Sequence, residues 1–208
     1  MTETLIAAFM TFLVVLDPAG IVPIFAGLSA AFPAVERRRA AIRGVAIASG
    51  ILIVFALVGE TLLELLGIGL PAFRIAGGVL LLLLSIDMVM ARQSGLRATT
   101  PGEHEESTHR TDISVFPLAI PLIAGPGAMT SVVLLMGRAH GLYQQAAVLG
   151  VLIGVLVLTL ICLLLTGPAM RLLGVTGANV ISRVSGIILA ALAVQFVIDG
   201  VRTVWPAS

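Results

Sequence analysis

Asp17 stands about twelve residues into an apolar run, directly before Pro18, Ala19 and Gly20. A carboxylate at mid-bilayer depth costs at least ~2.5–3.5 kcal/mol to insert, so it must face a bundle interior and be paired or protonated. The chemistry open to it is binding a cation or proton, or pairing with a substrate ammonium. The plainer reading is a helix cap, since Asp before Pro is a good N-cap with Pro at the first helical position. Both can hold at once, because a cap inside a membrane still needs a cavity.

Gly125-Pro126-Gly127-Ala128 interrupts a second apolar run in the same manner. Each proline removes a backbone donor and clashes with the preceding turn. In lipid the freed groups cost several kcal/mol unless something satisfies them. Pro117 and Pro121 loosen the chain leading into this second break. Half-helices starting at the breaks point their positive ends inward, and two converging helix N-termini suit a small carboxylate. Thr130 and Ser131 add hydroxyls near the same depth, while Gly20, Gly127 and Ala128 keep the space small. One break alone reads as an ordinary kink, since Pro and Gly are common in membrane helices. A matched pair in two halves points to a transporter's binding site. The expected substrate site is therefore Asp17, Pro18, Gly20, Gly125, Pro126, Gly127, Ala128, Thr130 and Ser131, with Asp17 also holding the coupling ion.

These residues need a membrane framework. Of the 208 residues 59% are hydrophobic and 11% charged, and mean hydropathy is +1.14. Soluble domains carry roughly a quarter charged residues. Six apolar segments cover residues 5–32, 42–66, 72–90, 113–137, 146–165 and 180–201, each long enough to cross a bilayer. Met1-Thr2-Glu3-Thr4 is acidic and Asp17-Pro18 falls where an unbroken apolar region should be, so the first segment reads as a retained span and not a signal peptide.

All twelve basic residues are arginine. Nine of them (Arg37, Arg38, Arg39, Arg43, Arg92, Arg97, Arg110, Arg171 and Arg183) fall on one side of this arrangement, and Arg74, Arg138 and Arg202 on the other. The positive-inside rule puts the nine in the cytoplasm and both termini outside, with Tyr143 and Trp205 at the outer interface. This predicts a multi-pass membrane protein with both termini outside.

Residues 92–112 form the one hydrophilic linker, dividing three-span repeats at 1–91 and 113–208. Pro18 and Pro126 are 108 positions apart. Leu65-Leu66-Gly67-Ile68 matches Leu172-Leu173-Gly174-Val175, and Arg74-Ile75-Ala76-Gly77 matches Arg183-Val184-Ser185-Gly186, at nearly the same offset. An odd number of spans per repeat turns the second half upside down. The predicted fold is an all-α membrane protein with six spans in a three-plus-three inverted repeat and broken first and fourth helices.

Other residues read more plainly. Arg74 and Arg183 anchor the ends of equivalent spans, and Asp87 sits near the cytoplasmic face. Glu60, Glu64 and Asp199 lie near the outer face. His104 and His109 with Glu103, Glu105 and Glu106 read as a solvated linker and not a metal site. Gln195 is placed to hydrogen-bond between helices, and Gly150-x-x-x-Gly154 and Ala46-x-x-x-Gly50 read as packing faces. Cys162 stands alone, which excludes disulfides and CxxC chemistry within one chain. A net charge of +1 offers no face for nucleic acid. With one buried acid and no nucleophile–base pair, an enzyme is not expected, and neither is a cofactor.

Asp17-Pro18-Ala19-Gly20-Ile21-Val22-Pro23-Ile24-Phe25 resembles the DPxGxxPxF signature of the MarC family of bacterial and archaeal inner-membrane proteins. Pro121-Leu122-Ile123-Ala124-Gly125-Pro126-Gly127-Ala128-Met129-Thr130 resembles that family's PxxxGPGAxT signature. The resemblance covers the whole chain. It implies a secondary transporter of small neutral amino acids such as glycine and alanine, in a family grouped with exporters of the LysE type.

The leading expectation is such a transporter, coupled to H+ or Na+, with the bilayer and a small-molecule substrate as partners and a homo-oligomer left open. Two alternatives stand beside it. An ion or metal exporter needs more oxygen ligands than Asp17, Thr130 and freed carbonyls offer. A non-transporting membrane scaffold predicts both breaks packed against apolar side chains.

Overall fold

The computed structural model describes residues 2–90, 113–139 and 141–205. The linker at 92–112, with His104 and His109, lies outside the described residues. Within them the chain is helical throughout, with no strand.

Helices α1 (Thr2–Leu16) and α2 (Pro18–Leu28) are separated by Asp17 alone. Pro18 has no N–H to continue α1, and Asp17 turns into the left-handed region at φ 45°, ψ 64°. Asp tolerates that region better than most residues. Together they run as one apolar stretch over Leu5–Leu28. Helix α3 (Ala34–Leu65) has 32 residues, about 48 Å at 1.5 Å per residue, against a hydrocarbon core of roughly 30 Å. The sequence places this span at 42–66. The helix begins earlier because nothing between Ala34 and Ile42 breaks it, so the arginine cluster is wound into its first turns. Gly67 ends it with φ 69°, and Leu70-Pro71 opens α4 (Leu70–Val89).

The fourth apolar segment is irregular. In α5 (Ser114–Ile123) the residues before its prolines, Phe116 and Ile120, are extended, as pre-proline sterics favour, and both bonds into Pro117 and Pro121 are cis. Hydrogen bonds close wide five-residue turns here, Leu118 N–H to Ile113 C=O at 3.3 Å and Ala124 N–H to Ala119 C=O at 2.8 Å. Then α6 (Pro126–Gly137) leaves at a bend of 55°. Helix α7 covers Leu142–Leu164, and α8 (Thr166–Val204) is kinked at Gly174, φ 60°. The membrane-length part of α8 is Gly174–Val204, six residues earlier than the sequence suggests, because Gly174 and not a charge sets the boundary. Among the described residues five stretches are long and apolar enough to cross a membrane, namely α1 with α2, α3, α4, α7 and Gly174–Val204 of α8, and the bent α5–α6 pair brings them to six if it is one span.

The core lies between the two halves. The largest interface joins α4 to α8; α1 packs on α7, α2 on α7 and α8, and α3 on α5, α6 and α7, while α4 also meets α6. Small residues bring α4 and α8 together: a Cβ on Gly78 would sit 2.7 Å from Ala193 O, one on Gly186 2.9 Å from Met88 Cβ, and one on Gly200 2.9 Å from Pro71 O. Close backbone approach of this kind is how membrane helices gain van der Waals contact. Gly50, Gly150 and Gly154 do otherwise. Nothing lies within 4 Å of a Cβ built on them, so the sequence's packing faces there point away from the bundle. A glycine spacing alone does not say which side of a helix meets a neighbour.

Candidate functional site

Asp17 is 2% exposed. It caps α2, accepting from Gly20 N–H at Oδ1 over 3.1 Å. Its other oxygen, Oδ2, accepts a short hydrogen bond from Ser182 Oγ on α8. Gly20 stands against both groups: a Cβ there would fall 2.0 Å from Asp17 Oδ2 and 2.5 Å from Ser182 Oγ. Pro18 is buried at the first position of α2. The backbone donor that would normally close on the Val14 carbonyl belongs to Pro18 and is missing.

The second break is built differently. Gly125, the N-cap of α6, is extended at φ −76°, ψ 171°, and a Cβ on it would meet Pro121 O at 2.5 Å. Gly127 is pressed by Leu81 and Leu84 of α4, with Val15 of α1 at 3.7 Å from a would-be Cβ. Val15, Leu84, Leu122, Ile123 and Gly125 to Ala128 line a small, partly open void of about 10 Å³, room for about one water molecule. Pro126 itself is exposed. Thr130 is buried with its methyl against Gly77, and Ser131 is fully buried with no hydrogen-bond partner for its hydroxyl among the described residues.

The structure therefore gathers the expected residues into two groups, Asp17, Pro18 and Gly20 in one, Gly125, Pro126, Gly127 and Ala128 in the other, with Val15 two residues from Asp17 linking them. Ser182 and Val15 are absent from the sequence-derived set. A lone serine or valine in an apolar helix carries no signal; only the fold brings Ser182 to Asp17. Among the described residues no group of three or more His, Cys, Asp or Glu could hold a metal ion.

Residues 2–205 match the family described as MarC family integral membrane protein. The chain belongs to the MarC family. It is similar to a UPF0056 membrane protein of Methanocaldococcus jannaschii, 38% identical over 198 residues and 95% of each chain. It resembles the UPF0056 membrane protein YvbG of Bacillus subtilis, 33% identical over 206 residues, 99% of this chain and 98% of that one. It also resembles YhcE of Escherichia coli, 31% identical over 201 residues, 95% and 92% of the two chains. MarC proteins thus occur in bacteria and archaea, and both motif segments of this one lie at the breaks. No solved structure matches the chain.

Proposed function

We propose that this protein is a secondary transporter of small neutral amino acids, coupled to H+ or Na+, and works as a carrier and not as an enzyme. The observation that carries the reading is Asp17, a carboxylate buried at a helix break and held by Ser182 from the opposite half of the chain. In this scheme Asp17 binds the coupling ion or the substrate ammonium. The start of α6 at Gly125 to Ala128 binds the carboxylate, and Thr130 and Ser131 donate hydrogen bonds.

The proposal includes two inverted three-span repeats, residues 1–91 and 113–208, with the 92–112 linker in the cytoplasm and both termini outside. Part of the packing supports it: exchanging α1–α4 for α5–α8 turns α1 on α7 into α3 on α5, α2 on α7 into α3 on α6, and α2 on α8 into α4 on α6, and α3–α7 and α4–α8 map onto themselves, whereas α1 on α6, α1 on α8, α6 on α7 and α7 on α8 have no counterpart among the larger interfaces. An inverted repeat gives two related conformations open to opposite sides.

Proteoliposomes holding the protein should take up labelled alanine saturably and in response to an ion gradient. Asp17→Asn should abolish the coupled component while the protein stays folded. No saturable flux for any small amino acid would remove the reading. The smallness and apolar lining of the void at the second break favour one rival, a membrane scaffold. A scaffold shows no flux and no amino-acid binding.

A further inference from the structure

We propose that Arg74 and Arg138 form a carboxylate-receiving site at the end of the bundle where α4 begins and α6 and α8 end. A small amino acid would dock there before reaching the start of α6. The identity of the ligand rests on the transport reading above; the site itself rests on packing and charge.

Three contacts fix the place. A Cβ on Gly137 would lie 3.0 Å from Leu70 Cδ2, one on Gly77 2.0 Å from Thr130 Cγ2, and one on Gly200 2.6 Å from Ile75 Cγ1. The start of α4 therefore packs along α6 from Thr130 to Gly137 and against the last turns of α8. Arg74 belongs to that stretch. It is three residues from Gly77, about 4.5 Å along the axis, and Gly77 touches Thr130.

The charges at this spot do not cancel. Asp199 is engaged already: Arg138 Nη2 forms an ion pair with it, and Gln195 Nε2 donates to its Oδ1 at 2.7 Å. Arg138 also lies over the ring of Phe196, 5.4 Å from its centre. Arg74 is within electrostatic reach of both Arg138 and Asp199, and its Nε is shut off from solvent with no hydrogen-bond partner. Two guanidinium groups thus lie near one carboxylate in the first turns of an apolar span.

A guanidinium presents a planar fork of N–H donors that a carboxylate matches with two parallel hydrogen bonds. An incoming carboxylate supplies both the missing acceptor and the missing negative charge. From there the next side-chain donors along α6 are Ser131 and Thr130, and beyond them the positive end of the helix at Gly125 and Pro126. A lipid phosphate offers the same oxyanion chemistry. The amino acid is favoured because Thr130 extends the donors inward, away from the headgroup layer.

The test uses the full-length protein purified in non-ionic detergent, with thermal melting as readout against alanine, alaninamide and phosphatidylglycerol. Alanine should raise the melting temperature saturably, and alaninamide, which lacks the carboxylate, should not. Arg74→Gln should weaken alanine at least about tenfold, as expected for losing a charged hydrogen-bond partner. Arg138→Gln should weaken it less. Wild-type alanine affinity in Arg74→Gln overturns the site. So does a shift produced by phosphatidylglycerol but not by alanine, which gives the arginine to lipid. If Arg74→Gln does not fold, Arg74→Lys keeps the charge without the fork; weakened alanine binding supports the site and unchanged binding overturns it. Binding without flux in liposomes would sink the transporter reading and leave the site standing. Flux with an unchanged KM in the Arg74 variant would do the reverse.

Discussion

Ser182 hydrogen-bonds Asp17 across 165 residues of sequence, tying α8 to the junction of α1 and α2. Hydrogen bonds to charged groups contribute roughly 1.5–3 kcal/mol. Ser182→Ala should lower the melting temperature and change the ion dependence of alanine uptake. Combined with Asp17→Asn it should be clearly less than additive, because both changes remove the same contact. Additive losses in the double-mutant cycle would show that the two side chains act separately.

Gly20 is confined by that pair. With a Cβ placed 2.0 Å from Asp17 Oδ2, Gly20→Ala must push the carboxylate away from Ser182, at about 1–3 kcal/mol for overpacking. Flux should fall to background. Gly27 is the control, since a Cβ there meets nothing within 4 Å; Gly27→Ala should melt at or above the wild-type temperature. A Gly20→Ala variant with native flux would refute the packing seen at Asp17.

Ser131 has a buried hydroxyl without a partner, a penalty of roughly 1–3 kcal/mol. Ser131→Ala should therefore raise the melting temperature of the empty protein. If the hydroxyl serves substrate, the same variant should show a higher KM for alanine. A variant that is less stable, with unchanged KM, contradicts both statements.

The α4–α8 interface predicts a contrast among glycines. Gly78→Leu, aimed at Ala193 O and Val197, should destabilise the protein strongly or prevent folding. Gly150→Leu and Gly154→Leu face open space and should leave the melting temperature of the monomer within a few degrees. Fluorescence-detected gel filtration after heating reads both.

Much of this was legible in the chain. Asp17-Pro18 and Gly125-Pro126 marked the breaks because proline cannot continue a helix, and apolar run length marked the spans. The reach of α3 back to Ala34 was not legible, because arginines are good helix formers and a hydropathy reading stops at the first charge. Ser182 was hidden for another reason. Its partner lies in the other half, and spacing within one helix cannot report a contact made across the bundle. The different build of the two breaks, one turning on a single residue and the other bent by 55°, depends on Pro117 and Pro121, which have no counterparts in α1.

The seam between α4 and α8 limits how this molecule can move. Where a helix meets main-chain atoms through a missing side chain, no rotamer is available to absorb sliding, and close-packed interiors yield little. Gly78 and Gly200 create such points along one line. On the transport reading, these two helices would serve as a fixed axle, and any opening would fall to the proline-jointed arms, α1–α2 on one side and α5–α6 on the other.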